Sequence, residues 1–130
     1  MASYQGGKQK IGKYIYNTLI ELENKINSLN DTNKKLPYLE PFVGFCGVLK
    51  HFVNDTDRDL KASDINPDIV NMWKALQDGW IPDGKCSKQK YVRLKAQEKS
   101  TPERTFYGHV CSFGGVFFNS FINLSNYRGT

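Results

Sequence analysis

A glycine-bearing segment near residue 44 is the first feature whose residue types could do chemistry. A mostly apolar stretch runs into Gly44 and Gly47, and a short helix-like segment follows. Glycine lets a ligand approach the backbone, and the amides that begin a helix attract negative charge. Asp64 follows about 20 residues later, where a carboxylate commonly binds ribose hydroxyls. The spacing indicates a nucleotide-like cofactor, although a short glycine motif taken alone is more often a plain turn.

Positive charge is concentrated in one part of the chain. Seven basic residues and two acidic ones lie between Lys85 and Arg104, so this stretch accounts for the whole net charge of +5. A clustered basic segment is typical of proteins that bind a polyanion. A solvated, lysine-rich helix face explains the same composition equally well.

The composition limits the class of protein. A chain of 130 residues is about one domain. With 39% hydrophobic and 24% charged residues, the composition excludes disorder and collagen-like repeats. No apolar run reaches the roughly 18 residues of a membrane span or resembles a signal peptide, so we expect an intracellular protein of cytoplasm or nucleus, neither secreted nor membrane-bound. The 3 cysteines form no Cys-x-x-Cys or Cys/His cluster, so no metal site is expected.

The elements that must position these residues follow from apolar periodicity. Apolar residues at steps of three and four predict a helix from Lys8 to Leu29. A strand over 37–43, a short helix over 48–53 and a weak strand over 60–65 follow. This order predicts the opening of a parallel α/β sheet.

Three further helices are predicted from their first residues. Asn66 followed by a proline is a typical helix start, and this helix is expected to end at Gly79. Ser87 is expected to cap a basic helix to about Glu98, and Thr101 a last helix. The aromatic-rich region after residue 105 has no pattern that assigns its structure.

Three motifs occur in one order along the chain: Tyr4-Gln5-Gly6-Gly7-Lys8, then Leu39-Glu40-Pro41-Phe42-Val43-Gly44, then Ser63-Asp64-Ile65-Asn66. Together they resemble the Dam-like DNA adenine methyltransferases, and the resemblance spans essentially the whole chain. It implies an α/β fold: the N-terminal part of a Rossmann-like sheet that binds S-adenosylmethionine, followed by a helical or hairpin target-recognition region. The implied division is a cofactor-binding part over 1–80 and a basic, aromatic-rich recognition part over 81–130.

The resemblance also implies roles for individual residues. Tyr4 matches the aromatic that lies against S-adenosylmethionine, and Lys8 matches the lysine near its methionine carboxylate. Asp64 matches the acid that holds the ribose hydroxyls. A solvated Lys8 and an Asp64 that caps a helix are the structural alternatives. The family's glycine loop is matched by Phe42, Gly44 and Gly47.

Double-stranded DNA is the implied partner. The segment from Arg104 to Gly115 aligns loosely with the family's target-recognition region, where aromatic, Asn and Arg side chains meet the duplex. A buried aromatic core explains its phenylalanines at least as well. The candidate DNA-binding residues are Lys88, Lys90, Arg93, Asn119 and Arg128, with Asn123 and Asn126 as further polar candidates.

One family motif is absent. The catalytic Asp-Pro-Pro-Tyr closes the family's fourth strand, and it positions the adenine amine. This sequence contains no Pro-Pro, and its last proline is Pro102. We therefore expect the N-terminal portion of a methyltransferase: a truncated viral or phage-like product, half of a split restriction-modification enzyme, or an excised fragment.

The expected function is site-specific adenine methylation with the catalytic half supplied by a second chain, and no activity for the isolated chain. The unpaired strand edge that this leaves invites that chain or self-association. Two other classes stay open: a non-catalytic DNA-binding or regulatory module that keeps the family's front end, and a small α/β interaction protein with a vestigial cofactor loop. Cofactor binding distinguishes the last class from the others.

Overall fold

The computed structural model describes residues 4–123, and the chain divides into two units. The first unit is Gly7–Ile65. The second joins the segment up to Gly6 with the chain from Asn66 onward. In the described part of the chain no helix is long and apolar enough to cross a membrane. The functional division predicted at residue 80 stays a prediction.

The first unit contains one long helix and two short parallel strands. Helix α1 spans Gly12–Leu29, strand β1 spans Tyr38–Glu40 and strand β2 spans Leu60–Ala62. The strands pair in parallel along their whole length, and a 3-10 turn, Leu49–His51, lies between them in sequence. The mixed α/β character and the parallel pair agree with the prediction. The larger Rossmann-like sheet stays a prediction.

The elements of the first unit are shorter than the sequence predicted. Helix α1 begins at Gly12 and not at Lys8, because residues 8–11 form a separate turn in which the Ile11 N–H donates to the Lys8 carbonyl at 3.2 Å. Strand β1 ends at Glu40 and not at residue 43, because the chain turns at residues 41 and 42. Strand β2 ends with its partner, at Ala62 and not at residue 65.

The apolar face predicted for α1 exists but is only partly covered. Leu22, Ile26 and Leu29 are 48%, 46% and 86% exposed, and the first two border an open groove of about 240 Å³. The packed centre lies instead at Phe52, whose ring stacks on Tyr38 with 4.1 Å between centroids. Apolar contacts therefore supply only part of the interactions that hold α1 in the first unit.

A buried ion pair supplies a second attachment for α1. Arg58, just before β2, donates to both carboxylate oxygens of Glu23 at 2.6 and 2.9 Å and from Nε to Asp55 at 2.9 Å. The Arg58 side chain is only 4% exposed. Its hydrogen bond is the main reason that the pKa of the Glu23 carboxyl is lowered. Only a planar guanidinium presents this many donors in one plane.

We expect Arg58→Lys to lower the free energy of unfolding by about 1–3 kcal/mol, because lysine keeps the charge but leaves buried acceptors unpaired. Urea unfolding followed by circular dichroism measures this change. Lys61→Met is the control, since it removes only an exposed pair with Asp59 at 3.3 Å, and it should change stability by less than about 1 kcal/mol. Equal, small effects of both substitutions would show that the guanidinium geometry does not matter.

Within the described residues the second unit contains three α-helices, and each begins where a polar residue was predicted to cap it. The side chains of Asn66, Ser87 and Thr101 each accept a hydrogen bond from a backbone N–H in the first turn, at 3.0, 3.1 and 3.1 Å. These contacts confirm the three predicted helix starts. The helices are α2 (Pro67–Gln77), α3 (Lys88–Ala96) and α4 (Pro102–Val110).

One buried cluster of the second unit lies between α3 and α4, and Ile69 and Met72 of α2 are also fully buried. The Tyr91 hydroxyl lies 2.6 Å from Ser112 Oγ, so the polar end of this buried ring is paired. Beyond α4 the chain folds back through one antiparallel bridge between Ser112 and Phe121, in the region to which the sequence assigned no structure. The buried residues of the cluster between α3 and α4 are Cys86, Tyr91, Leu94, Tyr107, Cys111 and Phe118.

Candidate functional site

The carboxyl ends of β1 and β2 lie side by side, and this places Asp64 against the glycine loop. The Gly44 N–H donates to Asp64 Oδ2 at 2.9 Å, and the Val43 N–H donates to the Ser63 carbonyl at 2.9 Å. Gly44 and Cys46 have φ values of 46° and 54°, so the loop uses left-handed backbone twice. The edge formed by the carboxyl ends of parallel strands is where α/β proteins bind ligands.

The segment that begins with Lys8 lies directly on this loop. The Gln9 side chain donates to the Phe45 carbonyl at 3.0 Å. A Cβ on Gly47 would stand 2.7 Å from the Lys8 carbonyl carbon, and one on Gly12 would stand 1.9 Å from the Gly47 carbonyl oxygen. Backbone packing alone therefore requires both glycines. The predicted contact of Gly47 with a cofactor stays a prediction.

Glu40, inside the Glu-Pro-Phe motif, is a buried acid to which the sequence assigned no role. Its Oε2 accepts hydrogen bonds from the Tyr38 hydroxyl at 3.2 Å and from the Leu49 N–H at 2.9 Å. Burial raises the pKa of this carboxyl, while the two hydrogen bonds and the charge of Lys8 partly lower it. Buried, perturbed carboxyls are common in ligand sites. The sequence signal that could have identified Glu40 is an acidic residue within an otherwise apolar strand segment.

The first unit therefore holds four groups suited to one kind of ligand. Asp64 and Glu40 supply carboxylates, Lys8 supplies an ammonium, and Phe42 is a 67% exposed aromatic. A carboxylate accepts roughly four hydrogen bonds, so Asp64 can bind hydroxyls while it keeps Gly44. S-adenosylmethionine carries ribose hydroxyls, an ammonium, a carboxylate and an adenine. The chemistry of these residues fits that molecule.

Tyr4, predicted to contact the cofactor, belongs to the second unit. Its ring meets His109 edge on, with 4.8 Å between centroids, and the neighbouring Gln5 N–H donates to the Gly115 carbonyl at 3.4 Å. Burial lowers the pKa of His109, which favours the neutral form of the imidazole beside Tyr4. The role of Tyr4 towards a cofactor stays a prediction.

Lys90, a candidate DNA contact, is engaged within the second unit. Its Nζ lies 2.9 Å from Glu103 Oε1, 3.1 Å from Asp83 Oδ2 and 4.0 Å from the centroid of the Tyr107 ring. The Tyr107 hydroxyl donates to Asp83, which is the main reason that the pKa of Asp83 falls to about 2. Two carboxylates and a ring face thus already satisfy this ammonium.

Arg104 is a second internal cation of the basic stretch. Its Nε donates to the Leu94 carbonyl at 3.0 Å. Its guanidinium carbon lies 5.1 Å from the ring centroids of both Phe117 and Phe118. The charge and the flat face of Arg104 are used to join α3, α4 and the segment after α4.

The other predicted DNA contacts are more accessible. Arg93 is exposed and lies 3.8 Å from Glu103. Lys88 and Asn119 are exposed. Arg128 and Asn126 lie outside the described residues. Contact of any of these residues with DNA stays a prediction.

Comparison with known proteins gives one match. A family model described as D12 class N6 adenine-specific DNA methyltransferase matches residues 4–121. Comparisons with curated proteins and with solved structures gave no significant match. The matched range includes the glycine loop, Asp64 and the whole basic stretch.

Proposed function

Because the chain belongs to the D12 class N6 adenine-specific DNA methyltransferase family, we propose that it binds S-adenosylmethionine for transfer of a methyl group to the exocyclic amine of adenine. Membership confirms the Dam-like resemblance of the three motifs, and DNA is the substrate that the family implies. The observation that carries the proposal is the hydrogen bond from the Gly44 N–H to Asp64, which joins the glycine loop to the acid after β2.

In this proposal residues 1–80 hold the cofactor. Asp64 accepts hydrogen bonds from the ribose hydroxyls, Lys8 pairs with the carboxylate, and Glu40 accepts from the ammonium. Phe42 lies against the adenine, next to the loop of Gly44. S-adenosylmethionine supplies an electrophilic methyl group when it is bound. The residues of this chain bind and orient that molecule.

We also propose that β1 and β2 belong to a larger Rossmann-like parallel sheet. Among the described residues β1 pairs only with β2, which leaves its other edge open. Leu39, in the middle of β1, is 61% exposed. An open, apolar strand edge invites a further strand. A second polypeptide that adds a strand here, and carries the missing Asp-Pro-Pro-Tyr motif, would complete the catalytic site.

The test of the proposed function is cofactor binding by wild type and by Asp64→Ala. Each hydrogen bond to a charged group contributes about 1.5–3 kcal/mol, so the substitution should weaken S-adenosylmethionine binding roughly ten- to hundred-fold. Isothermal titration calorimetry without DNA measures both affinities. The control is Asp59→Asn, which removes an exposed acid of the same unit that pairs only with Lys61 at the surface.

Two outcomes would count against this function in different ways. Equal affinities of wild type and Asp64→Ala would remove the role given to Asp64. Wild-type protein that binds neither S-adenosylmethionine nor its demethylated product would reject the cofactor site and favour an interaction protein with a vestigial loop.

A non-catalytic DNA-binding or regulatory module is the second candidate. The absence of any Pro-Pro from the sequence and the exposed lysines of the basic stretch favour it. Such a module binds DNA but gives no methyl transfer when it is mixed with a chain that carries the missing motif.

A further inference from the structure

A cavity of about 540 Å³ lies in the second unit, beside the start of α3. Two lysines, Lys85 and Lys88, stand on its wall. Phe121 and Asn123 face them from the segment that returns after α4. Cations, an aromatic ring and a side-chain amide thus surround one concave space.

The two lysines are the uncompensated charges of this region. Lys90 lies within 4 Å of both Asp83 and Glu103, and Arg93 lies within 4 Å of Glu103, so these four charges balance one another. Within the described residues, neither Lys85 nor Lys88 forms an ion pair within that distance. The Asp83 carboxylate, which lies nearest in sequence, is occupied by the Tyr107 hydroxyl, by Lys90 and by the Lys85 backbone N–H at 3.0 Å. The cavity therefore has a net positive charge.

The aromatic side of the cavity is fixed in place. The ring of Phe121 packs on Tyr91 with 5.2 Å between centroids, and Phe121 forms the antiparallel bridge with Ser112. Its side chain is only half-buried, so part of it faces the cavity. A held aromatic ring beside cations is the arrangement that binds a base or sugar next to its phosphate.

We infer that this cavity binds one nucleotide of the DNA strand, with its phosphate at Lys85 and Lys88 and its base or sugar against Phe121. The inference rests on the proposed function, which makes DNA the substrate. It concentrates the DNA contact at one end of α3, and it removes Lys90 and Arg104 from the set of phosphate-binding residues.

The test compares two double substitutions that remove the same charge from different places. Lys85→Gln/Lys88→Gln changes the cavity, and Lys95→Gln/Lys99→Gln changes exposed lysines further along. Fluorescence anisotropy of a labelled duplex, titrated at several salt concentrations, gives the affinity and its salt dependence. Each lost phosphate contact should reduce the slope of log affinity against log salt by about 0.9. We expect that reduction and a loss of roughly ten-fold or more for the cavity pair, and a much smaller change for the control pair.

A third variant tests the aromatic wall. Phe121→Leu should weaken binding several-fold while the salt slope stays unchanged, because it removes stacking and no charge. Tyr14→Leu, at a 76% exposed ring of the first unit, is its control. Thermal unfolding of each variant shows whether the fold is kept. Competition with inorganic phosphate and with a mononucleotide distinguishes a free anion from a DNA strand as the ligand.

The outcomes separate this inference from the proposed function. Equal losses for the two lysine pairs, a flat salt dependence of wild type, or an unchanged Phe121→Leu would overturn the inference. So would inorganic phosphate that competes as well as a mononucleotide. Calorimetric binding of S-adenosylmethionine, measured without DNA, would stand in each of these cases. Loss of cofactor binding would reject the proposed function even if the cavity binds DNA.

Discussion

Replacing Gly12 by alanine is expected to abolish cofactor binding and to destabilise the first unit. In a helix, alanine is normally better than glycine by roughly 0.5–1 kcal/mol. Here the added Cβ would lie 1.9 Å from the carbonyl oxygen of Gly47 and 2.7 Å from its carbonyl carbon. Both are backbone atoms, so the clash is relieved only if the start of α1 separates from the glycine loop. That separation would displace the loop that binds Asp64 through Gly44.

The loss of stability expected from the Gly12→Ala clash exceeds the stability gained from the higher helix propensity of alanine. Overpacking of a well-packed site costs about 1–3 kcal/mol and sometimes more, and backbone overlap lies at the upper end. We expect an unfolding free energy lower by about 3 kcal/mol and S-adenosylmethionine binding too weak for calorimetry. Lys13→Ala, at the next and exposed position, is the matched control and should leave both quantities nearly unchanged. A Gly12→Ala protein more stable than wild type would show that the backbone of Gly47 leaves room for a Cβ at position 12.

The helix starts were predictable because they depend on neighbouring residues. Asn66, Ser87 and Thr101 each accept from an N–H only two or three residues ahead. Such a capping interaction depends only on a few consecutive residues, so the sequence alone predicts it. The predicted start of α1 was wrong because residues 8–11 form a separate turn, in which the Ile11 N–H donates to the Lys8 carbonyl. The sequence also does not show that Gly12 packs against Gly47, which lies 35 positions further along the chain.

Periodicity also predicted the face of α1 but not its burial. Steps of three and four identify one side of a helix, yet they do not say whether anything covers it. Leu22 and Ile26 lie on that side and are nearly half exposed, whereas Glu23 is buried because Arg58 pairs with it. An ion pair between residues far apart in sequence has no local signal.

The candidate site was partly predictable. The spacing of about 20 residues assigned Asp64 and Gly44 to one candidate site, and a hydrogen bond joins these two residues in the structure. Glu40 was missed because its burial and its bond to Leu49 depend on tertiary contacts. Charge counting likewise found the basic stretch but could not show that Lys90 is satisfied internally.

The largest expected effect concerns activity. The chain alone should transfer no measurable methyl group from labelled S-adenosylmethionine to unmethylated duplex DNA. Its sequence contains no acidic-Pro-Pro-aromatic run to accept hydrogen bonds from the adenine amine. A ring such as Phe113 can stack on an extruded base, but stacking leaves the amine unpositioned. A misplacement of about 1 Å already costs on the order of a hundred-fold in rate.

Addition of a second polypeptide that carries the tetrapeptide should restore transfer if it adds its strand to the open edge of β1. Two controls show which part of the activity each of the two chains supplies. The same mixture with Asp64→Ala should lose most of the activity at limiting cofactor, because Asp64 is the residue proposed to hold the ribose. A partner whose tetrapeptide acid is replaced by alanine should give none, because the adenine amine is then unbound. Robust turnover by the purified chain alone would instead mean that the catalytic groups lie between Phe106 and Arg128 of this chain, and the second polypeptide would be unnecessary.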